Sequence, residues 1–236
     1  MIPSPPGNAD QHSLAARFVE GPYIAASEHA EQRLAGWLAE LEPDHAAALT
    51  ELLDQSLARR VLLGIAEYSP YLFDLVRGDA PRLIRLLRCE PDSHLAALIE
   101  ATTREVFAAP GEPEVMRQLR RMKSEAALLI ALCDIGGVWP VMRVTAALTE
   151  LATVSVQAAL RYLLRQEMVR GRLSPPDHER PEDGSGLFVL AMGKMGAGEL
   201  NYTSDIDLIV FFDPDAPTLA RDIEPQPFFV RITQAL

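Results

Sequence analysis

The chain has 236 residues, with 22 Lys and Arg against 33 Asp and Glu, a formal net charge of −11. That length suits one or two domains with a sizeable core. The acidic balance argues against a nucleic-acid backbone as partner. No apolar run reaches the ~20 residues that a membrane span needs. The opening MIPSPPGNAD has neither the basic segment nor the apolar core of a secretory signal, so a cytoplasmic location is expected.

Residues 1–10, with three prolines and a glycine, are expected to form a mobile tail. Gly21-Pro22 breaks any helix attempted by residues 11–26. Ser27 is a candidate N-cap, and Leu34, Trp37, Leu38 and Leu41 follow at helical spacing until Pro43. Asp44 is the expected cap of the next helix, which carries Leu49, Leu52, Leu53 and Leu57 and continues or kinks into Val61–Ala66. Ser69-Pro70 and Asp79-Ala80-Pro81 each combine a cap with an early proline. The first opens a short helix ending at Gly78, the second a helix carrying Leu83, Ile84, Leu86 and Leu87. Asp92 or Ser93 caps another, running to about Ala108. This proline-punctuated array has no strict repeat and reads as stacked helices.

Pro110-Gly111-Glu112-Pro113 separates the array from a long helix, Glu114–Ile135. Its first half carries Arg117, Arg120, Arg121 and Lys123, which form either a solvated face or a contact for phosphate or an acidic partner. Gly136-Gly137 and Pro140 end it, with Trp139 expected to be buried. Two helices follow, 141–151 and about 153–168, and Thr149 and Glu150 near the end of the first carry no signal. Cys89 and Cys133 lie in apolar surroundings and read as core residues rather than a disulfide. His12, His29, His45, His94 and His178 show no metal-ligand spacing. The polar, Pro- and Gly-rich stretch 171–186 marks the clearest boundary. Before it lies a helical region, 11–170; after it, from 187, two short runs of β-branched and aromatic residues.

Those runs flank the most informative stretch, LFVLAMGKMGAGELNYTSDIDLIVFF from Leu187 to Phe212. It predicts a strand over Leu187–Met192, a glycine-rich turn with a short helical turn, and a strand over Ile206–Phe212. On such a strand Asp205 and Asp207 share one side, while Ile206 and Leu208 take the other. Two carboxylates roughly 7 Å apart repel unless a cation lies between them. Mg²⁺ suits the pair, since it takes one or two protein carboxylates plus substrate phosphates. Gly193 opens backbone N–H groups to phosphate oxygens, Lys194 adds a positive charge and Ser204 a hydroxyl. A phosphate cradle followed by two metal-binding acids is the layout of nucleotidyl transfer. Plainer readings stand beside it: Asp-x-Asp at a strand start is also a turn and cap signal, and glycines after a strand are also ordinary turn residues. The stretch is not a Walker A loop, because Met195 follows Gly193-Lys194 where that motif has Ser or Thr.

Gly193-Lys194, about ten residues, then Asp205-Ile206-Asp207 resembles the nucleotidyltransferase superfamily with a polymerase-β-like palm. The longer string GKMGAGELNYTSDIDLIVFF closely resembles the catalytic motif of the bifunctional glutamine synthetase adenylyltransferase/adenylyl-removing family. Gly193, Lys194, Gly196, Glu199, Leu200, Ser204, Asp205 and Asp207 match positions of that motif. The stretch Leu119–Gln166 is similar to the helical segment that precedes it.

The resemblance implies an α+β fold, with an all-helical N-terminal region leading into the first strands of an incomplete palm over 187–236. The position of the motif matches the family's N-terminal, adenylyl-removing half, so an N-terminal fragment is expected. In that half phosphate attacks the adenylylated tyrosine of glutamine synthetase and ADP leaves; the other half transfers AMP from ATP. Carried over, Asp205 and Asp207 are the catalytic, Mg²⁺-binding acids. Gly193, Lys194 and Ser204 orient phosphates, and Glu199 supports the turn. The implied partners are glutamine synthetase, ATP or ADP, phosphate and, through a segment outside this chain, a PII-type signalling protein. The family's third carboxylate lies on a later strand, so weak or no turnover is expected of residues 1–236 alone. Two other readings remain at this point: a helical protein-docking module with the strands as scaffold, and a nucleotidyltransferase with a different substrate.

Overall fold

A computed structural model describes residues 12–25, 27–54 and 56–236. The expected tail, 1–10, lies outside the described residues. By its contacts the chain forms two compact units. One gathers the residues up to Leu98 with Lys123–Val144; the other joins Ile99–Met122 to Thr145–Leu236.

The first unit is helical. It contains α1 (Leu14–Arg17), α2 (Ser27–Ala39), α3 (Pro43–Leu53), α4 (Ser56–Tyr68), α5 (Pro70–Gly78) and α6 (Ala80–Arg88), and takes part of α7 (Pro91–Ala108) and α8 (Glu112–Ile135). The cap-then-proline signals hold. Ser69 Oγ accepts from the Leu72 amide at 3.3 Å, and Asp79 Oδ1 from the Arg82 amide at 2.8 Å. Three expectations are corrected. The N-cap of α3 is Glu42, not Asp44, because Pro43 already occupies the first turn. The amides at the start of α7 are taken by Glu90, whose carboxylate accepts from Ser93 at 2.8 Å, so neither Asp92 nor Ser93 is the cap. The segment 11–26 does contain a short helix, α1, capped by Ser13. The side chain of Ser27 lies outside the described residues. Cys89 and Cys133 are both free, and Cys133 is buried as expected.

Leu34, Leu49, Leu62, Ile65, Leu83, Leu86 and Leu87 form the unit's interior. One acid enters it. Glu125 on α8 is 4% exposed and is held by His94 of α7 at 2.8 Å and Arg85 of α6 at 3.1 Å. The hydrogen bond from His94, with Arg85 adding its charge, holds the Glu125 carboxyl below the usual glutamate range despite burial. Trp139 is buried, its indole donating to Asp92 at 3.3 Å while the Arg143 guanidinium lies 4.4 Å above its ring.

The expected helices 141–151 and 153–168 are one helix, α9 (Val141–Val169), which belongs to the second unit from Thr145 onward. No glycine or proline interrupts this stretch. The hydroxyls of Thr149 and Ser155 fold back onto the carbonyls of Thr145 and Leu151, at 2.9 and 2.7 Å, and so compete little with the helix. Beyond it come β1 (Leu187–Ala191), α10 (Gly193–Ala197), β2 (Leu208–Phe212) and α11 (Pro225–Ala235). The two strands pair antiparallel, Leu187 opposite Phe212 and Ala191 opposite Leu208. The fold is therefore mainly helical with a small antiparallel ribbon, consistent with the α+β class.

One face of the ribbon is covered. Leu187, Val189, Val210 and Phe212 pack on Leu164 of α9 and on Phe228, Phe229 and Ile232 of α11. The other face is open, with Phe188, Leu190, Ile209 and Phe211 between 41% and 53% exposed. The loop 171–186 is tied down: Ser174 and Thr218 share a 2.7 Å backbone bond, Thr218 Oγ1 donates to the Gly184 carbonyl at 2.7 Å, and Arg161 pairs with Glu182.

Helix α10 lies tightly on β1. A Cβ at Gly196 would sit 2.3 Å from the Ala191 carbonyl oxygen and 3.1 Å from its carbon, both backbone atoms that cannot swing away. Gly196→Ala is therefore expected to destabilise the chain by about 1–3 kcal/mol. Gly36→Ala, at an exposed point of α2 with nothing within 4 Å, is expected to stabilise it by about 0.5–1 kcal/mol. Urea titration of both variants checks the opposite signs. For Glu125, the depressed carboxyl contributes stability that is complete above the unfolded value near 4.5 and is lost as pH falls through the lower folded value. Glu125→Gln is expected to cost about 1–3 kcal/mol at pH 7. The gap to wild type should narrow toward pH 3, as followed by denaturant melts at both pH values.

Candidate functional site

The site is built where β1 turns into α10 and returns as β2. Met192 leaves β1 extended, and Gly193 follows with φ +55°, a left-handed conformation open to glycine but strained for other residues. The first helical bond of α10 is Gly196 N–H to the Met192 carbonyl, at 3.1 Å. The amides of Gly193, Lys194 and Met195 precede it and have no helical acceptor. Gly198 closes α10 in the left-handed region, φ +76°, and the Glu199 amide returns to the Lys194 carbonyl at 2.8 Å. Lys194 is exposed and has no ion pair among the described residues.

The acidic pair sits differently from the expectation. Strand β1 ends at Ala191 rather than Met192, and β2 begins at Leu208 rather than Ile206. Asp205, Ile206 and Asp207 precede the strand, because their partner has run out. Met192 N–H to the Asp207 carbonyl, 2.9 Å, is the last rung before Gly193 turns the backbone away. That rung keeps Asp207 in register with Ile209 and Phe211, the residues of the open face. Asp205, Ile206 and Asp207 are all exposed, so the alternation read from sequence is not expressed as burial at Ile206, which is 43% exposed.

The structure brings Asp207 to the glycine turn. Its Oδ2 lies 3.9 Å from the point where a Cβ on Gly193 would stand. A side chain at position 193 would therefore face that carboxylate as well as being strained. Ser204 is engaged within its own loop. Its hydroxyl donates to Asn201 Oδ1 at 2.7 Å and accepts from the Asn201 amide at 3.4 Å, while Asn201 Oδ1 also takes the Thr203 amide at 3.2 Å. This Asx-type closure sits immediately before Asp205.

Two residues of the site escaped the sequence reading. Asn201 closes the loop, and its spacing from Ser204 is a recognisable turn signal. Thr149, 51 residues upstream, accepts the Leu200 amide on its Oγ1 at 3.1 Å. Nothing in the local sequence marks it.

Chemically, the arrangement offers two carboxylates, an exposed ammonium and, among the described residues, turn amides without a helical acceptor. No group of three or more His, Cys, Asp or Glu able to hold a metal occurs among the described residues. Two exposed hard oxygen donors still fit Mg²⁺, which fills most of its shell with water and substrate phosphates.

The family model for glutamate-ammonia ligase adenylyltransferase matches residues 59–236. Similar curated relatives are each named bifunctional glutamine synthetase adenylyltransferase/adenylyl-removing enzyme. The relative in Bradyrhizobium diazoefficiens is 71% identical over 100% of this chain and 24% of its own length. That of Rhodopseudomonas palustris strain HaA2 is 62% identical over 95% and 23%. That of Xanthobacter autotrophicus is 49% identical over 99% and 24%. The chain thus spans about a quarter of the length of the curated relatives it matches. No solved structure matches it. With a family match over more than half of its length and a relative 71% identical across all of it, the chain belongs to the glutamate-ammonia ligase adenylyltransferase family.

Proposed function

We propose that this chain is the N-terminal part of a bifunctional glutamine synthetase adenylyltransferase/adenylyl-removing enzyme, and that Gly193–Phe212 carries its phosphoryl-transfer site. Residues 187–236 are then the beginning of a polymerase-β-like palm, behind the helical region 11–170. The observation that carries the reading is the placement of the Asp207 carboxylate over Gly193. It sets an acid beside a turn whose backbone amides are open to phosphate.

In this reading the half removes AMP. An oxygen of orthophosphate attacks the phosphorus of the adenylylated tyrosine, the phosphorus–phenolate bond breaks, ADP forms and the tyrosine oxygen regains its proton. Asp205 and Asp207 would hold Mg²⁺, which supplies charge neutralisation at the transferring phosphoryl group when bound. The chain's own residues do the rest. The amides of Gly193 and Lys194 and the Lys194 ammonium bind and orient phosphate oxygens. Ser204, bonded to Asn201, keeps the approach to Asp205 in one shape, and can offer its oxygen to substrate by exchanging that bond. Glu199, whose amide closes onto Lys194, supports the turn.

Glutamine synthetase, adenine nucleotide and phosphate are the partners of this reading, and a PII-type protein would act through a segment outside the chain. The test uses an enzyme of full family length containing this chain, with adenylylated glutamine synthetase, phosphate and Mg²⁺, and ADP release as readout. Asp205→Asn and Asp207→Asn are each expected to lower the rate by about 10²- to 10³-fold with thermal stability little changed, and EDTA to abolish it. A folded Asp207→Asn enzyme releasing ADP at the wild-type rate would remove the assignment.

A further inference from the structure

We infer that Thr149 is a positioning residue of this site: its hydroxyl fixes the loop that delivers the acidic pair. The inference rests on the reading of Asp205 and Asp207 as the reacting acids. The loop between α10 and β2 is held at its start by the backbone closure of Glu199 on Lys194, and at its end by the rung between Met192 and Asp207. Between these points the chain must find further support, or Asp205 follows the loop's motion.

Leu200 provides it. The residue is 5% exposed, and its amide donates to Thr149 Oγ1 at 3.1 Å. The Thr149 hydroxyl hydrogen is directed to the Thr145 carbonyl one turn back, at 2.9 Å. The same oxygen therefore presents a lone pair to Leu200 in a fixed orientation. Asn201 follows at once and stitches itself to Thr203 and Ser204, and Asp205 comes next. Helix, Leu200, Asn201–Ser204 and Asp205 thus form a short series of hydrogen-bonded links.

The helix is a suitable anchor. Leu160, Leu163 and Leu164, further along α9, belong to the cluster under the covered face of the ribbon. One rigid element therefore bears on both the strands and the loop between them. Replacing Thr149 by the isosteric valine removes the acceptor and leaves a buried residue's amide without a partner. Serine keeps the acceptor.

The experiment compares Thr149→Val, Thr149→Ser and Asp207→Asn in the enzyme of full family length. It follows ADP release from adenylylated glutamine synthetase as Mg²⁺ and phosphate are varied, together with amide exchange over residues 199–205. Thr149→Val is expected to lower kcat by about ten- to hundredfold, raise the Mg²⁺ needed for half-maximal rate, and speed exchange at Leu200. Thr149→Ser is expected to restore all three. A Thr149→Val enzyme with wild-type kcat and Mg²⁺ dependence would overturn the inference. So would a serine variant as impaired as the valine one, since packing would then be the cause. A valine variant that no longer folds would overturn it too, by making the hydroxyl a support of the whole fold. If Asp207→Asn is inactive while Thr149→Val is normal, only the positioning role falls. If Asp207→Asn is fully active, the underlying site reading falls first.

Discussion

Between Gly196 and the carbonyl of Ala191 there is no room for a methyl group, and the arrangement of the site follows from that closeness. Helix α10 can fold back onto the end of β1 only because position 196 lacks a side chain. The reversal is made possible by Gly193, whose left-handed backbone ends the ladder after one more rung. Both glycines therefore serve geometry before chemistry. One sets how near the helix comes, and the other sets where the strand stops. The Asp207 carboxylate is left facing the bend because the ladder still reaches its carbonyl while the next residues upstream have no strand beside them.

Two contrasting kinds of acid stand out in this chain. Glu125 is enclosed and paired with His94 and Arg85, and Glu167, also buried, is paired with Arg170 and Arg172. An interior carboxylate without such partners would be costly, so these groups are committed to the fold. Asp205 and Asp207 are exposed and make no ion pair among the described residues. Exposed carboxylates with no lysine or arginine recruited to neutralise them are what an external cation would find useful.

How much of this was legible depended on whether the signal was local. Ser69-Pro70 and Asp79-Ala80-Pro81 announced their helices, because a cap and an early proline act within four residues. The glycine turn is legible for the same reason, and the string around it carries the family resemblance. The start of α3 behind Glu42, whose side chain makes no cap bond, and the Glu90 cap are not legible, since glutamate is a weak cap by propensity. The continuity of α9 past 151 has no strong local marker, and the long-range use of the Thr149 hydroxyl depends on a partner 51 residues away. β2 starts two residues later than alternation predicts, because alternation describes a strand only while a neighbour is present to pair with it.

The open side of the ribbon bears on how the molecule behaves in solution. Phe188 and Phe211 stack there, 5.2 Å between centroids, beside Leu190 and Ile209, next to strand edges that pair on one side only among the described residues. Such a surface tends to recruit another strand, a stray copy of the chain among them. Mutual repulsion between molecules that each carry a charge of −11 opposes the stray encounter. That protection weakens as added salt shortens the screening length, so colloidal behaviour of this stretch should track ionic strength more closely than its folding does.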